Sequence, residues 1–148
     1  MKKITAILLA ICMSVQIMIS SISVNAASAT VENAISWAIA TANDNSHGYS
    51  QSNRWGPDYD CSSFVISAFK NAGVNTGTAT YTGNMRSQFT QHGFQWIPWS
   101  QIGSMSNLQR GDILLNEVQH TEIYLGNGKN VGAHSNRGYP QTGDQTGT

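Results

Sequence analysis

The sequence has few charged residues and few cysteines, and both shortages exclude classes of protein. Charged residues make up 11% of the 148 positions, and eight basic side chains balance eight acidic ones. A nucleic-acid binder or an anionic-membrane binder normally carries a basic excess, so neither is expected. The only cysteines are Cys12 and Cys61, which excludes a disulfide-rich scaffold.

Long apolar runs are also absent, except at the N-terminus. There, two lysines precede an apolar stretch over residues 4–22, and small or compact residues surround Ala26. This order is typical of a secretory signal peptide. A membrane anchor is the alternative, but no positively charged stop follows the run. We predict a leader over residues 1–26 and a mature chain over residues 27–148. The mature chain would be secreted or located at the cell wall, without a stable membrane anchor.

Removal of this leader leaves Cys61 as the one cysteine of the mature chain, so an internal disulfide is excluded. An unpaired cysteine in an exported protein is either a link to a second chain or a reactive thiol. A chain of about 120 residues suffices for one domain with one core. We therefore expect a single-domain monomer.

Apolar residues at helical spacing predict two helices. In residues 31–42 they recur every three or four positions, and Thr30 is a candidate N-cap. In the second helix, Asp60 precedes a similar stripe that ends at Gly73, a residue suited to the left-handed geometry after a helix. Cys61 would then lie in the first turn of the second helix.

Short apolar segments bounded by glycines predict a small sheet near the C-terminus. Residues 113–115 form one strand and residues 120–125 a second, and a turn over residues 126–128 leads to a partner strand over residues 130–134. The tryptophans of segment 94–99 are expected to pack in the core or at its edge rather than to stack on sugar rings. The helices and this hairpin together predict an α+β fold.

Cys61 and His120 have the residue types and predicted positions that thiol catalysis requires. A thiol at a helix N-terminus is favoured as thiolate, which is the nucleophile, and Asp60 is expected to cap that helix. A histidine that begins a strand can serve as base and return the proton to a leaving amine. His120 has that position, and His134 ends the partner strand, where it could orient His120. A buried structural thiol is the alternative for Cys61.

Three motifs follow one another along the chain: residues 59–65 (YDCSSFV), 108–114 (LQRGDIL) and 120–126 (HTEIYLG). In kind and order they resemble the motifs of the NlpC-type papain-like cell-wall cysteine peptidases, most closely the phage-lysin peptidoglycan amidohydrolases. The resemblance extends over nearly the whole mature chain. It implies a papain-like α+β fold with Cys61 at the N-terminus of a core helix, packed on a small antiparallel sheet that carries His120.

The resemblance also implies an activity. It indicates an exported bacterial cysteine hydrolase that cuts an amide bond in peptidoglycan through a thioester, without cofactor or metal. The catalytic residues would be Cys61, His120 and His134. The enzyme would be either a stem-peptide endopeptidase or an N-acetylmuramoyl-L-alanine amidase. We predict substrate contacts at four further residues: Tyr49, Trp55, Asp60 and Ser62.

Two alternatives remain open. Relatives continue with an aromatic and apolar closing strand, so the domain is expected to be truncated at its C-terminus. This expectation favours a catalytically inactive wall-binding module of the same fold. The other alternative is a zinc hydrolase with Cys61, His120 and His134 as ligands, since three protein ligands and a water are the usual set of a catalytic zinc ion.

Overall fold

The computed structural model describes residues 28–135, so the predicted leader and the residues after 135 lie outside the described part. The elements are α1 (Ala29–Ala42), α2 (Cys61–Asn71), α3 (Thr82–Gln91), α4 (Trp99–Ile102), a 3₁₀ turn (Met105–Asn107), β1 (Ile113–Asn116), β2 (His120–Gly126) and β3 (Lys129–Val131). Helices with a small sheet confirm the predicted α+β class. Within these residues, no helix combines the length and apolar character that crossing a membrane requires.

Helix α1 begins slightly earlier than its apolar pattern predicted. The hydroxyl of Ser28 accepts a hydrogen bond from the backbone N–H of Val31 at 3.3 Å, so Ser28 is the N-cap and Thr30 lies inside the helix. The buried face of α1 includes the small residues Ala34 and Ala38. Small side chains allow two helices to pack closely, and α1 packs on α2 through this face.

Helix α2 is the central element, because it packs against α1 on one side and β2 on the other. Phe64, Val65, Ile66 and Phe69 of this helix are at most 2% exposed. Full burial of one such side chain contributes roughly 1.5–3 kcal/mol to folding. The position of Cys61, the first residue of α2, is therefore determined by the core of the domain.

The three strands form one antiparallel sheet in the order β1-β2-β3. Ile123 in the middle strand is opposite Ile113 on one side and Val131 on the other. Thr121 and Ile123 are buried in β2, and side chains alternate between the faces of a strand. His120 and Glu122 therefore share the opposite face of β2, away from the core.

The turn that joins β2 to β3 has the composition the hairpin prediction required. Gly126, Asn127 and Gly128 all have positive φ angles, of 88°, 54° and 73°, a region that glycine and asparagine tolerate best. The strand after the turn is shorter than predicted, because β3 ends at Val131. His134 consequently lies beyond the sheet ladder, in the segment that leaves β3.

Candidate active site

The start of α2 is held by a reciprocal pair of hydrogen bonds. The Asp60 carboxylate accepts from the backbone N–H of Ser63 at 2.7 Å, and the Ser63 hydroxyl accepts from the backbone N–H of Asp60 at 2.9 Å. This is a capping box, which satisfies backbone N–H groups that have no partner within the helix. The prediction that Asp60 caps this helix is confirmed, and Cys61 is its first residue.

Asp60 makes two further contacts, which offset the free-energy cost of burying its charge. Its Oδ1 accepts a hydrogen bond from the Ser62 hydroxyl at 2.9 Å, and its Oδ2 lies 2.8 Å from the Arg54 guanidinium. Asp60 and Ser62 are only 5% and 2% exposed. Since a buried carboxylate needs a paired charge, Arg54 is the residue that makes this cap possible. Both side chains already form hydrogen bonds at the start of α2. Substrate contact by Asp60 and Ser62 stays a prediction.

His120 begins β2 and lies beside the nucleophile candidate. Its interaction with the Cys61 side chain, followed by its hydrogen bond with Glu122, raises the pKa of His120 to about 9, against the opposing effect of partial burial. A protonated ring is favoured here because sulfur and carboxylate both stabilise its positive charge. The sheet and the helix thus place an imidazole beside a thiol with which it interacts.

Glu122 lies between the two histidines. Its Oε1 is 3.1 Å from His120 Nε2 and 2.6 Å from His134 Nε2, and its Oε2 accepts a hydrogen bond from the Asn130 amide at 2.7 Å. The hydrogen bond with His120, followed by the one with His134, holds the pKa of Glu122 far below its usual range. Glu122 is therefore an ionised carboxylate that fixes one nitrogen of each ring.

His134 comes close to His120 although it lies past the end of β3. The two rings are 4.5 Å apart between centroids and tilted by 44°. Each directs its Nε2 to the same oxygen of Glu122. The structure thus brings together the three residues predicted as catalytic, Cys61, His120 and His134, with Glu122 linking the histidines.

The cleft beside Cys61 has a volume of about 310 Å³. Its walls are formed by Gln51, Arg54, Asp60, Cys61, Ser62, Tyr81, Thr82, Val118 and Gln119. Tyr49 and Trp55, two of the predicted substrate contacts, are not part of this lining. Tyr49 packs against the core, and Trp55 is 48% exposed beside Arg54 and Lys70. Their roles in substrate binding stay predictions.

The endolysin-like domain family has a model that matches residues 56–131, slightly more than half of the chain. This chain belongs to that family. The matched region contains Cys61, His120 and Glu122 and ends before His134. Comparison with curated proteins and comparison with solved structures each gave no significant match. Membership in the family indicates a lytic role at the cell wall, with peptidoglycan as the fitting substrate.

A larger groove of about 1020 Å³ lies along β1 in this endolysin-like domain, and His120 and Glu122 are part of its lining. Trp96 and Trp99 also line it and are 38% and 56% exposed. Of the two positions expected for these tryptophans, the core or its edge, the core is excluded for Trp99. The four-residue helix α4, where it lies, has no buried residue, so among residues 28–135 no apolar layer fully covers the indole ring.

Sequence reasoning missed two residues of the site in this endolysin-like domain. Glu122 was overlooked although its spacing of two from His120 on a strand places both side chains on one face. Arg54 gave no local signal, because its partner Asp60 lies on another segment and the loop between them has no periodic pattern. Strand alternation could have identified Glu122, whereas only the tertiary structure identifies Arg54.

Proposed function

We propose that this endolysin-like domain is an exported cysteine hydrolase that cuts an amide bond in peptidoglycan, with Cys61 as nucleophile and His120 as base. The observation that carries the proposal is the placement of Cys61 at the start of α2 beside His120 at the start of β2, where Cys61 is the largest cause of the raised His120 pKa. A nucleophile and a base in such contact are the signature of covalent catalysis. The family supplies the cell-wall context.

We further propose that the arrangement is papain-like and of the NlpC type. Three features support it: the thiol begins the central helix, that helix packs on an antiparallel sheet, and the histidine begins the middle strand. Cys61 also precedes His120 along the chain, which is the order of nucleophile and base that the resemblance implies. The proposal concerns the arrangement of these elements and does not depend on the residues after 135.

In the first half of the reaction, His120 already holds the proton of Cys61, as its raised pKa favours, and the sulfur attacks the carbonyl carbon of the amide. The negative charge on the carbonyl oxygen is stabilised by free N–H groups at the start of α2, including that of Cys61, since the first N–H groups of a helix have no intrahelical acceptor. The C–N bond then breaks, and His120 donates its proton to the departing amine. The product on the enzyme is a thioester.

In the second half, water hydrolyses the thioester. His120 accepts a proton from the water, which attacks the same carbonyl carbon, and the sulfur of Cys61 leaves and regains a proton. Glu122 fixes the ring of His120 through Nε2, so that the other nitrogen is directed to the reaction. His134 and Asn130 in turn hold Glu122 in place. The histidine predicted to orient His120 would therefore act through a carboxylate.

The test is hydrolysis of purified peptidoglycan sacculi by the purified protein. Turbidity and newly formed amino groups are followed for the unaltered protein, for Cys61→Ala, and for iodoacetamide-treated and EDTA-treated samples. We expect Cys61→Ala and iodoacetamide to remove activity and EDTA to leave it. A surface variant, Glu117→Gln, serves as the matched control, because Glu117 pairs only with the exposed Arg86 in the described residues. Mass spectrometry of the fragments then distinguishes endopeptidase from amidase.

Other outcomes of the same assay would support other functions. Wall binding without any release of amines would contradict the proposal and support the inactive binding module. Loss of activity in EDTA, with retention in Cys61→Ala, would support a metal hydrolase. The approach of both histidines to Glu122 gives that second candidate a concrete ligand set, in which Glu122 replaces the Cys61 of the sequence-based alternative.

A further inference from the structure

Three side chains, two on β2 and one in the segment after β3, have ligand atoms that lie close together. In the described part of the chain, His120, Glu122 and His134 form a group whose nitrogen and carboxylate oxygen atoms all lie within 4.8 Å of one another. Two of these spacings are 3.1 Å and 2.6 Å, both measured from Glu122 Oε1 to an imidazole Nε2. Two imidazoles and one carboxylate are a common protein ligand set for zinc.

The spacing of these atoms fits a tetrahedral ion after small side-chain rotations. Zinc binds imidazole nitrogen and carboxylate oxygen at about 2.0–2.2 Å, so two ligand atoms in a tetrahedral site lie about 3.3 Å apart. The spacing to His120 then has to grow by about 0.2 Å and the spacing to His134 by about 0.7 Å. The two histidines are on or next to adjacent strands, so their rings can approach without a change of the backbone.

The surroundings of Glu122 also fit a metal ligand. The Asn130 amide donates to Oε2 at 2.7 Å and leaves Oε1 as the oxygen that faces the histidines. Hydrogen bonds of this kind, made to a metal ligand by a neighbouring residue, orient the ligand and raise the affinity of the site for the metal. The side chains of His120 and His134 are 37% and 38% exposed. An ion can therefore enter from solvent and keep water in its fourth position.

We propose that His120, Glu122 and His134 form a reversible binding site for a divalent transition-metal ion such as Zn²⁺, and that occupation of this site inhibits the thiol hydrolase. The inhibitory part rests on the proposed function. Metal on Nε2 of His120 occupies one nitrogen lone pair, and the ring keeps its proton on Nδ1. Such a ring cannot accept the proton of Cys61, so the nucleophile loses its base.

The binding test uses the full protein, first treated with EDTA and then dialysed. Titration with zinc chloride in a calorimeter is expected to show one equivalent bound. Glu122→Gln should weaken binding by at least about tenfold, whereas Glu117→Gln, a carboxylate outside the cluster, should leave it unchanged. Cys61→Ala should also bind zinc normally. If zinc binding depends on Cys61, or persists at full strength in Glu122→Gln, the ligand set proposed is wrong.

A second variant covers the case in which Glu122→Gln does not fold. His134 lies beyond β3, so His134→Ala removes a ligand without changing the strands. It should weaken zinc binding by a similar factor while thermal unfolding stays close to that of the unaltered protein. Normal zinc affinity in a folded His134→Ala protein would also overturn the site.

The activity arm separates the two proposals. In sacculus hydrolysis, one equivalent of zinc should inhibit the unaltered protein, and excess EDTA should restore the rate. Zinc binding that leaves the rate unchanged, or that raises it, would overturn the inhibitory role. A protein that binds zinc through the three ligands but never hydrolyses sacculi would contradict the thiol hydrolase and keep the metal site. Hydrolysis of sacculi by a protein that does not bind zinc would contradict the metal site and keep the thiol hydrolase.

Discussion

The two halves of the candidate site are built in different ways. The nucleophile half is local: the capping box joins Asp60 to Ser63, and both side chains are buried. The histidine half is assembled from β2 and the segment after β3, and its rings are more than a third exposed. One half is therefore held by a helix start in the core, and the other by a single carboxylate near the surface. We expect changes in the first half to affect folding most and changes in the second to affect catalysis.

The strongest test of this difference is Asp60→Ala. It removes the cap of α2 and leaves Arg54 without its buried partner, and breaking a buried ion pair costs about 3–5 kcal/mol. We expect the free energy of unfolding in urea to fall by about 3 kcal/mol, since Arg54 keeps some contact with solvent. Asp60→Asn, which retains a capping side chain, should lose less. The exposed Asp44→Ala is the control, and an equal loss there would contradict the assignment.

Glu122→Gln tests the histidine half. We expect kcat for sacculus hydrolysis to fall on the order of 10²-fold, because His120 loses the carboxylate that fixes its ring. Stability should change much less than in Asp60→Ala. A merely structural role would lower kcat without moving the pH profile, whereas loss of this charge should shift the profile of the remaining activity to lower pH. The profile is measured in EDTA buffer, with Glu117→Gln as control.

The pH dependence of stability examines the same half without a mutation. Contacts with Cys61 and Glu122 raise the pKa of His120 to about 9 from 6.5. The stabilisation is therefore complete below about pH 6.5 and is lost as the pH rises through about 9. Solvent screening at this partly exposed ring reduces the effect to about 1 kcal/mol. Urea unfolding in EDTA buffer from pH 6 to 10, compared with His120→Ala, is the measurement; parallel curves would contradict it.

The smallest effect is expected for Glu32→Gln, which touches neither half. The Glu32 carboxylate and the Arg110 guanidinium form two hydrogen bonds, of 2.8 and 3.0 Å, at the surface. The bond to Arg110 lowers the pKa of Glu32, but exposed pairs contribute about 0.5 kcal/mol. The free energy of unfolding should fall by no more than that, and less at high salt. A loss as large as that of Asp60→Ala would remove the contrast between buried and exposed pairs.

Much of the nucleophile half could be predicted because its determinants are close in sequence. A capping aspartate, the apolar stripe after it and the terminal Gly73 predicted α2 and the position of Cys61, and the structure agrees. The cap of α1 was misplaced by two residues, since Ser28 and Thr30 are equally suited and only the observed hydrogen bond distinguishes them. The exposure of Trp99 was not predictable, because burial depends on what packs over a ring rather than on the ring itself.

The sequence by itself determined the α+β class, the helix that begins at Cys61 and the strand that begins at His120, because periodicity and capping act over a few residues. The tertiary structure decided which residues meet. It brought Arg54 to Asp60, Cys61 to His120, and Glu122 between two histidines. Contacts between segments depend on packing and on charge pairing in partly buried surroundings, where the energy of a contact depends on every neighbour at once. No local pattern carries that information.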